Sequence, residues 1–252
     1  MIDLHMHILP EMDDGARDME MALAMARQAV DCGTAVIAAT PHKNIPGMTD
    51  YKWGDRYRMQ MNELRKCIAK EHLPLTLIEG MEIFMTEDVH EKLNDGDLIC
   101  LGNTRTPLIE FAFHTEGNAM ARSLERLCRE GYVPMLAHPE RYMCVMEDPQ
   151  LVFEWYQMGV IIQMNKGSIL GRFGNRVRKT AAQLLRHRLI AVVASDAHGA
   201  FVRTPNMTEL EYVLDGEYGP NCFELLLEIN PARILEGKKV IWDDPVPFSS
   251  FF

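Results

Sequence analysis

Residues 1–16 read MIDLHMHILPEMDDGA, and the reading of this stretch decides how the rest of the chain is understood. Met1, Ile2 and Leu4 open a short apolar run that leads straight into His5 and His7, with Asp13, Asp14 and Gly15 close behind. Side chains on a strand alternate with period two, so two imidazoles two residues apart at a strand end face the same side. That pair is half of a metal site. The other half must come from distant parts of the chain.

Working outward, residues 17–32 carry small and apolar side chains at helical spacing, and Gly33 follows as a helix C-terminal residue. TAVIAAT, residues 34–40, is a continuous apolar and β-branched run that ends in Thr40-Pro41-His42. Unalternated runs of this kind suit parallel strands buried on both faces. The pattern then recurs. A helix is expected over 55–72, the strand LTLIEG ends near Glu82, and a short helix falls around 87–93. Leu98–Cys100 reads as a minor strand, and PLIEF runs through Glu110. A helix over 118–130 closes at Gly131, and VPMLAHPER places His138 at its strand end. A helix over 149–158 precedes VIIQMN, which ends at Asn165; GSILGRFG, a helix over 176–188 and the strand LIAVVASDAHG come next. Helices over 207–218 and 222–227 and a Pro- and Phe-containing tail complete the chain, the tail expected to be frayed.

Seven apolar strands alternating with helices predict a parallel α/β sheet. No Pro/Ser/Gly linker divides the chain, so residues 1–252 are expected to form a single domain. At this length a closed (β/α) barrel fits better than an open doubly wound sheet, and neither a G-x-G-x-x-G nor a Walker loop supports the open alternative.

The polar residues fall at the strand ends: His5 and His7, then His42, Glu82, Glu110 and His138, and finally Asp196 and His198. In a parallel barrel those ends share one rim, so residues spread over the whole chain would meet. Glu110 and Asp196 sit in apolar surroundings, where a carboxylate must be paired or bound to metal to offset its desolvation. With Asp14, the set holds nitrogen and oxygen donors and no sulfur, which favours Mn²⁺, Fe²⁺ or Zn²⁺ over a structural cysteine site. It exceeds what one ion can use, so two or three ions are expected.

A formal net charge of −10 argues against nucleic-acid binding through a basic face. The six cysteines are scattered without a C-x-x-C pair and read as reduced thiols. Cysteine-based phosphatase chemistry needs an Arg at the sixth position after the thiolate. None of the cysteines has one; Cys100 comes nearest, with Arg105 one place short. No basic leader, signal-like apolar segment or membrane-spanning run appears, which points to a cytoplasmic protein without membrane insertion.

HMH at the N-terminus, TPH at 40–42, GMEI at 80–83, LIEF at 108–111, AHPER at 137–141 and SDAH at 195–198 resemble the polymerase and histidinol phosphatase (PHP) metal-dependent hydrolases. More narrowly, LPEMDDGA, AHPERY, QMNKGSILGRFG, RTPNM and NPARILEGK resemble the bacterial capsule and exopolysaccharide protein-tyrosine phosphatases, in order and spacing from Met1 to about Val240. The resemblance implies a distorted (β/α)₇ TIM-like barrel with a trinuclear, Mn²⁺-preferring centre. Carried over by motif, one ion would be held by His5, His7, Glu82 and Asp196. A second would share Glu82 with Glu110 and His138, and a third would take Asp14, His42 and His198. Arg141 and Arg203 match phosphate-binding arginines, and Asp14 is also an option for proton donation. The implied substrate is phosphotyrosine on a protein, the tyrosine-rich tail of a bacterial capsule-assembly tyrosine autokinase.

Two departures from the family pattern, Phe113-His114 after LIEFA and Lys166 in QMNKGS, miss the ligand positions and are expected to bear on the substrate pocket. Histidinol-phosphate hydrolysis on the same scaffold is the rival activity, and a non-enzymatic metal-binding or remnant exonuclease domain is the other. Tyr51 and Trp53 could flank a phosphotyrosine ring or simply pack their loop. His114 is a weaker candidate beside the ligands, whereas His72, His90 and His187 read as surface residues on helices.

Overall fold

A computed structural model describes residues 1–48, 51–241 and 244–248. Its strand segments are β1 (Ile2–Met6), β2 (Val36–Ala39), β3 (His42–Lys43), β4 (Thr76–Glu79), β5 (Glu82–Phe84), β6 (Leu108–Glu110), β7 (Met135–Leu136), β8 (Ile161–Asn165) and β9 (Val192–Ala194). All of their pairings are parallel, in the orders β1-β2-β4 and β3-β5-β6-β7-β8-β9. β2 and β3 are two halves of one strand, as are β4 and β5, so the segments make seven staves. The ring closes where Met6 bridges Ala197, the Asp196 N–H donates to the His5 carbonyl at 2.9 Å, and the His7 N–H donates to the Ala197 carbonyl at 2.9 Å. The expected distorted seven-staved barrel is the fold found.

Both breaks have local causes. Pro41 has no N–H to give to a ladder. At Gly80 the carbonyl accepts from the Tyr57 hydroxyl at 3.1 Å while the N–H donates to the same oxygen at 3.0 Å, so the helix Trp53–Lys70 takes both backbone groups. A Cβ at Gly80 would lie 2.9 Å from Leu101 Cδ2 and 3.0 Å from Thr40 Cγ2, which makes glycine a packing requirement there. Beyond the breaks the strands pair again with His42 opposite Glu82, and both residues are thereby aimed at the rim.

Inward positions change character along the strands. Ala38, Leu108, Met135, Ala137, Ile161 and Val192 form one apolar cluster, and the alternate residues Ile37, Ile109, Leu136, Ile162 and Val193 join the larger cluster beneath the helices. Moving two residues at a time toward the C-terminal ends, the inner face becomes Thr40 and His42, Glu110, Gln163 and Asn165, and Asp196. The barrel is thus plugged by hydrocarbon below and polar at one mouth, the end where βα loops build sites.

Seven of the expected helices lie within two residues of their bounds; Met19–Asp31, for example, starts on an Asp18 cap whose carboxylate accepts from the Met21 N–H at 2.7 Å, whereas the helix expected over 222–227 runs on through a π segment, Leu225–Ile229, into Asn230–Leu235. Leu98–Cys100 is not a strand. The Leu98 N–H caps the helix Val89–Asp95 by donating to the Lys92 carbonyl at 3.1 Å, and the segment takes part in none of the ladders among the described residues. His187 is a second correction. It is buried, because its backbone carbonyl and Nδ1 meet Val246 and its ring stacks on Phe248 at 3.6 Å. Val246 and Phe248 of the tail are therefore seated, while 249–252 lie outside the described residues. His72 is exposed and His90 is only partly buried, its ring bonded to Arg126.

Candidate metal centre

All nine donors picked out in the sequence meet at the polar mouth. His5 Nε2 and His7 Nε2 lie 3.2 Å apart, each 3.2 Å from Glu82 Oε2 and 3.5 Å from Asp196 Oδ1. Glu82 also reaches His138 Nε2, 2.9 Å from Oε1, and His42 Nδ1, 3.0 Å from Oε2. Glu110 stands 3.6 Å from both His42 Nδ1 and His138 Nε2. Asp14 Oδ1 is 3.6 Å from His42 Nε2 and 3.5 Å from His198 Nε2. Three groups have converging donor atoms: His5, His7 and Asp196; His42, Glu82 and Glu110; and His7, Asp14, His42 and His198. Compared with the partition implied by resemblance, the first group lacks Glu82, His42 stands in the second where His138 was expected, and His7 joins the third.

The donor chemistry fits divalent cations. His5 Nδ1 lies 3.1 Å from Gln163 Oε1, whose own amide is oriented by donating to Asn165 Oδ1 at 2.9 Å. His7 Nδ1 bonds Asp13 Oδ2 at 2.7 Å, and His198 Nδ1 bonds the Asp196 carbonyl at 3.1 Å. Each Nδ1 faces an acceptor, so its proton sits there and the Nε2 lone pair points into the cluster. Two such lone pairs 3.2 Å apart repel one another unless positive charge lies between them. His42 Nδ1 is buried and aimed into the cluster without an aligned hydrogen bond.

Protonation preferences point the same way. Burial would raise Glu82, but the His5 charge and hydrogen bonds from His138, His5 and His7 hold it well below the carboxylate range. Burial beside Glu82 pushes Glu110 up to about 8. Burial also lowers His7, yet Asp13 and the converging carboxylates lift it well above an ordinary imidazole. Like charges crowded in a dry site create a demand for positive charge that a cation meets better than protons do.

Gly15 makes this possible at the sequence level. A Cβ there would fall 2.2 Å from the His7 carbonyl oxygen and 2.5 Å from His7 Cβ, so the chain turns back tightly enough for Asp13 to clasp His7. Asp13 also accepts from the His42 N–H at 2.8 Å and the Gly15 N–H at 2.9 Å. Sequence reading chose Asp14 and passed over Asp13. Gln163 and Asn165 were also missed, although two amides at period two in the otherwise apolar VIIQMN were a readable signal.

Arg141 and Arg203 stand at the outer side of Asp196. Asp196 Oδ1 faces the histidines, while Oδ2 accepts from Asn165 Nδ2 at 2.5 Å, from Arg141 at 3.4 Å and from Arg203. The Arg141 guanidinium lies between the rings of Phe113 and Phe173, 4.6 and 4.7 Å from their centroids. Phe113 thus belongs to the mouth, as expected; His114 is exposed, and no hydrogen bond or ion pair joins it to the donors. Trp53 is not a loop residue: it opens the helix Trp53–Lys70 and stacks on Tyr57 in the same helix at 5.0 Å, whereas Tyr51 is 96 % exposed. Lys166 does not line the mouth. It is buried, and its ammonium is held by backbone carbonyls.

A closed parallel barrel with a rim of nitrogen and oxygen donors and two facing guanidiniums defines a class, the α/β-barrel hydrolases that work through divalent cations. The comparisons narrow it. Residues 1–236 match the family described as "Capsular polysaccharide synthesis, CpsB/CapC", and the chain belongs to that family. Tyrosine-protein phosphatase YwqE of Bacillus subtilis is 35% identical over 253 residues, 98% of this chain and 96% of that protein. Tyrosine-protein phosphatase CpsB of Streptococcus pneumoniae is 30% identical, covering 93% of this chain and 98% of its own. A structure from crystallographic work on YwqE and CpsB, "unique metal-dependent tyrosine phosphatases", superposes with a TM-score of 0.90 at 35% identity, covering 98% of this chain and 99% of that chain.

Proposed function

We propose that the chain is a metal-dependent protein-tyrosine phosphatase acting in capsule or exopolysaccharide synthesis, on the phosphorylated tail of a bacterial tyrosine autokinase. The observation that carries the reading is the two-sided use of Asp196: its inner oxygen faces the His5–His7 pair and its outer oxygen holds Arg141 and Arg203. A phosphoryl group set against the donors would meet both guanidiniums. His5, His7, Glu82 and Asp196 would hold one ion; Glu82, Glu110 and His138, with His42 adjoining, a second; Asp14, His42 and His198 a third. The oxygen and imidazole set suits Mn²⁺, with Fe²⁺ and Zn²⁺ as alternatives.

Bound divalent ions supply Lewis-acid activation of water and neutralise phosphoryl charge. The protein's own groups do the rest. Arg141 and Arg203 bind the phosphoryl oxygens and stabilise the charge that shifts during transfer. Gln163, Asn165 and Asp13 keep the imidazoles and Asp196 in register. The rings of Phe113 and Phe173 keep Arg141 in its plane. A tyrosyl leaving group has a pKa near ~10, so it departs with less acid assistance than an alkoxide needs. Asp14 is held below the carboxylate range by its hydrogen bond to His198, an anion's state that suits a ligand better than a proton donor.

Among the described residues no helix is long and apolar enough to cross a membrane; a single-domain, cytoplasmic enzyme is part of the proposal. The test is a substrate panel on chelated and Mn²⁺-reloaded protein: phosphotyrosine peptide, phosphoserine peptide and histidinol phosphate. Phosphotyrosine peptide should be preferred, and chelation should remove activity that Mn²⁺ restores. Preference for histidinol phosphate would sink the protein-substrate reading, and full activity after chelation would sink the metal mechanism.

Asp14 offers a finer check on the ion count. Its side chain is 69 % exposed, and its Oδ1 lies 3.6 and 3.5 Å from the outer imidazoles, His42 and His198. Asp14→Ala should lose one equivalent of metal, keep the ion at His5 and His7, and lower kcat/KM by at least about tenfold. Elemental analysis of the reloaded variant reads this directly. Unchanged stoichiometry would remove Asp14 from the ligand set.

A further inference from the structure

We infer that Lys166 is a positioning residue for phosphate recognition, whose ammonium holds the loop of residues 199–206 in the shape that presents Arg203 to the mouth. The inference rests on the phosphate-binding role given to Arg203 above.

Lys166 directly follows Asn165, the last residue of β8. Its side chain is 1 % exposed, and its Nζ donates to the carbonyls of Thr204 and of Asn206, the latter at 2.8 Å. Arg203 lies immediately before the first of these carbonyls. Its backbone has φ +49°, a left-handed conformation that side-chain-bearing residues adopt only when their surroundings impose it. What imposes it is visible on both sides. The Arg203 carbonyl accepts from the His198 N–H at 2.9 Å, and Lys166 grips the two carbonyls that flank Pro205.

The loop is also tied at its ends, where the Ala200 carbonyl accepts from Gln28 Nε2 at 2.8 Å and Asn206 Oδ1 accepts from the Thr208 N–H at 3.0 Å, but its middle is open. Phe201 and Val202 are 84 % and 76 % exposed, and the next helix begins only at Thr208. A methionine would fill the volume of Lys166 without burying an ammonium, a costly group to take from water. Burial moves the Lys166 amine down to about 8, so the charge is kept inside against its solvation preference. Besides facing the buried Asp3 carboxylate, the charge makes a double carbonyl grip that hydrocarbon would not. Through Asn165 and Lys166, the end of β8 thus sets Asp196 and the Arg203 loop from adjacent residues.

The test is a double-mutant cycle on metal-loaded protein with phosphotyrosine peptide as substrate. Lys166→Met should lower kcat/KM by about 10- to 30-fold in the native background and by less than about twofold in Arg203→Ala, because its effect runs through Arg203. Metal content should be unchanged, and the amides of 199–206 should exchange faster with solvent. If Lys166→Met fails to fold, Lys166→Gln, which retains a shorter donor, is carried through the same cycle. Equal losses in both backgrounds, or native activity in the lysine variant, overturn the inference and leave the role of Arg203 standing. Native activity in Arg203→Ala overturns that role, and this inference with it.

Discussion

Glu82→Gln should abolish turnover while leaving the protein folded. The expected loss in kcat/KM is about three orders of magnitude or more, equivalent to ~4 kcal/mol of transition-state stabilisation. Among the described residues Glu82 meets four of the imidazoles, with His138 at 2.9 Å, His5 and His7 at 3.2 Å and His42 at 3.0 Å. Gln has the same shape but removes the negative charge and turns one acceptor into a donor. Metal content should therefore fall by more than one equivalent, since the carboxylate adjoins two of the three donor groups. The metal-free variant should melt lower than metal-free wild type, because without ions the Glu82 carboxylate is the buried partner of the His138, His5 and His7 imidazoles, and Gln keeps its shape but not its charge. Elemental analysis, kinetics on phosphotyrosine peptide and melting with and without Mn²⁺ separate these effects. A Gln variant with full metal content and native turnover would show that Glu82 is not the shared ligand.

The contrast between Glu82 and the break before it explains what the sequence could reveal. Strand ends were legible because a buried apolar run that finishes in His, Glu or Asp is costly unless those groups have partners, and six of the seven runs pointed such groups to one rim. Ligand grouping was less legible. His42 serves two groups only because Pro41 and Gly80 interrupt the strands and re-aim the residues after them, and the Tyr57 latch on Gly80 comes from a separate helix. Asp13 and Asp14 are adjacent and chemically alike. What separates them is the turn at Gly15, which brings Asp13 to His7 Nδ1 and leaves Asp14 in the open mouth. Leu98–Cys100 has strand composition but spends its first N–H on a helix end. Lys166 was legible as an unusual residue but not as a buried one, because its partners are backbone carbonyls forty positions downstream, invisible to any side-chain pattern.

Arg141→Ala should separate phosphate recognition from metal binding. The guanidinium lies between the Phe113 and Phe173 rings with one nitrogen 3.4 Å from Asp196 Oδ2, on the side of that carboxylate turned away from the histidines. Its loss should cost about 10²- to 10³-fold in kcat/KM, the range for removing one preorganised donor from a developing anion. Metal content should stay near that of the wild type, because Asn165 still holds Asp196 Oδ2 at 2.5 Å and Oδ1 stays turned to His5 and His7. Inorganic phosphate should inhibit the variant more weakly than the wild type. Arg141→Lys keeps the charge but loses the planar group that two rings can clamp, so it should recover only part of the activity. Loss of metal in Arg141→Ala would mean that the guanidinium shapes the donor cluster itself. Retained metal with weakened phosphate binding would divide the mouth at Asp196, with donors on its inner oxygen and phosphate recognition on its outer one.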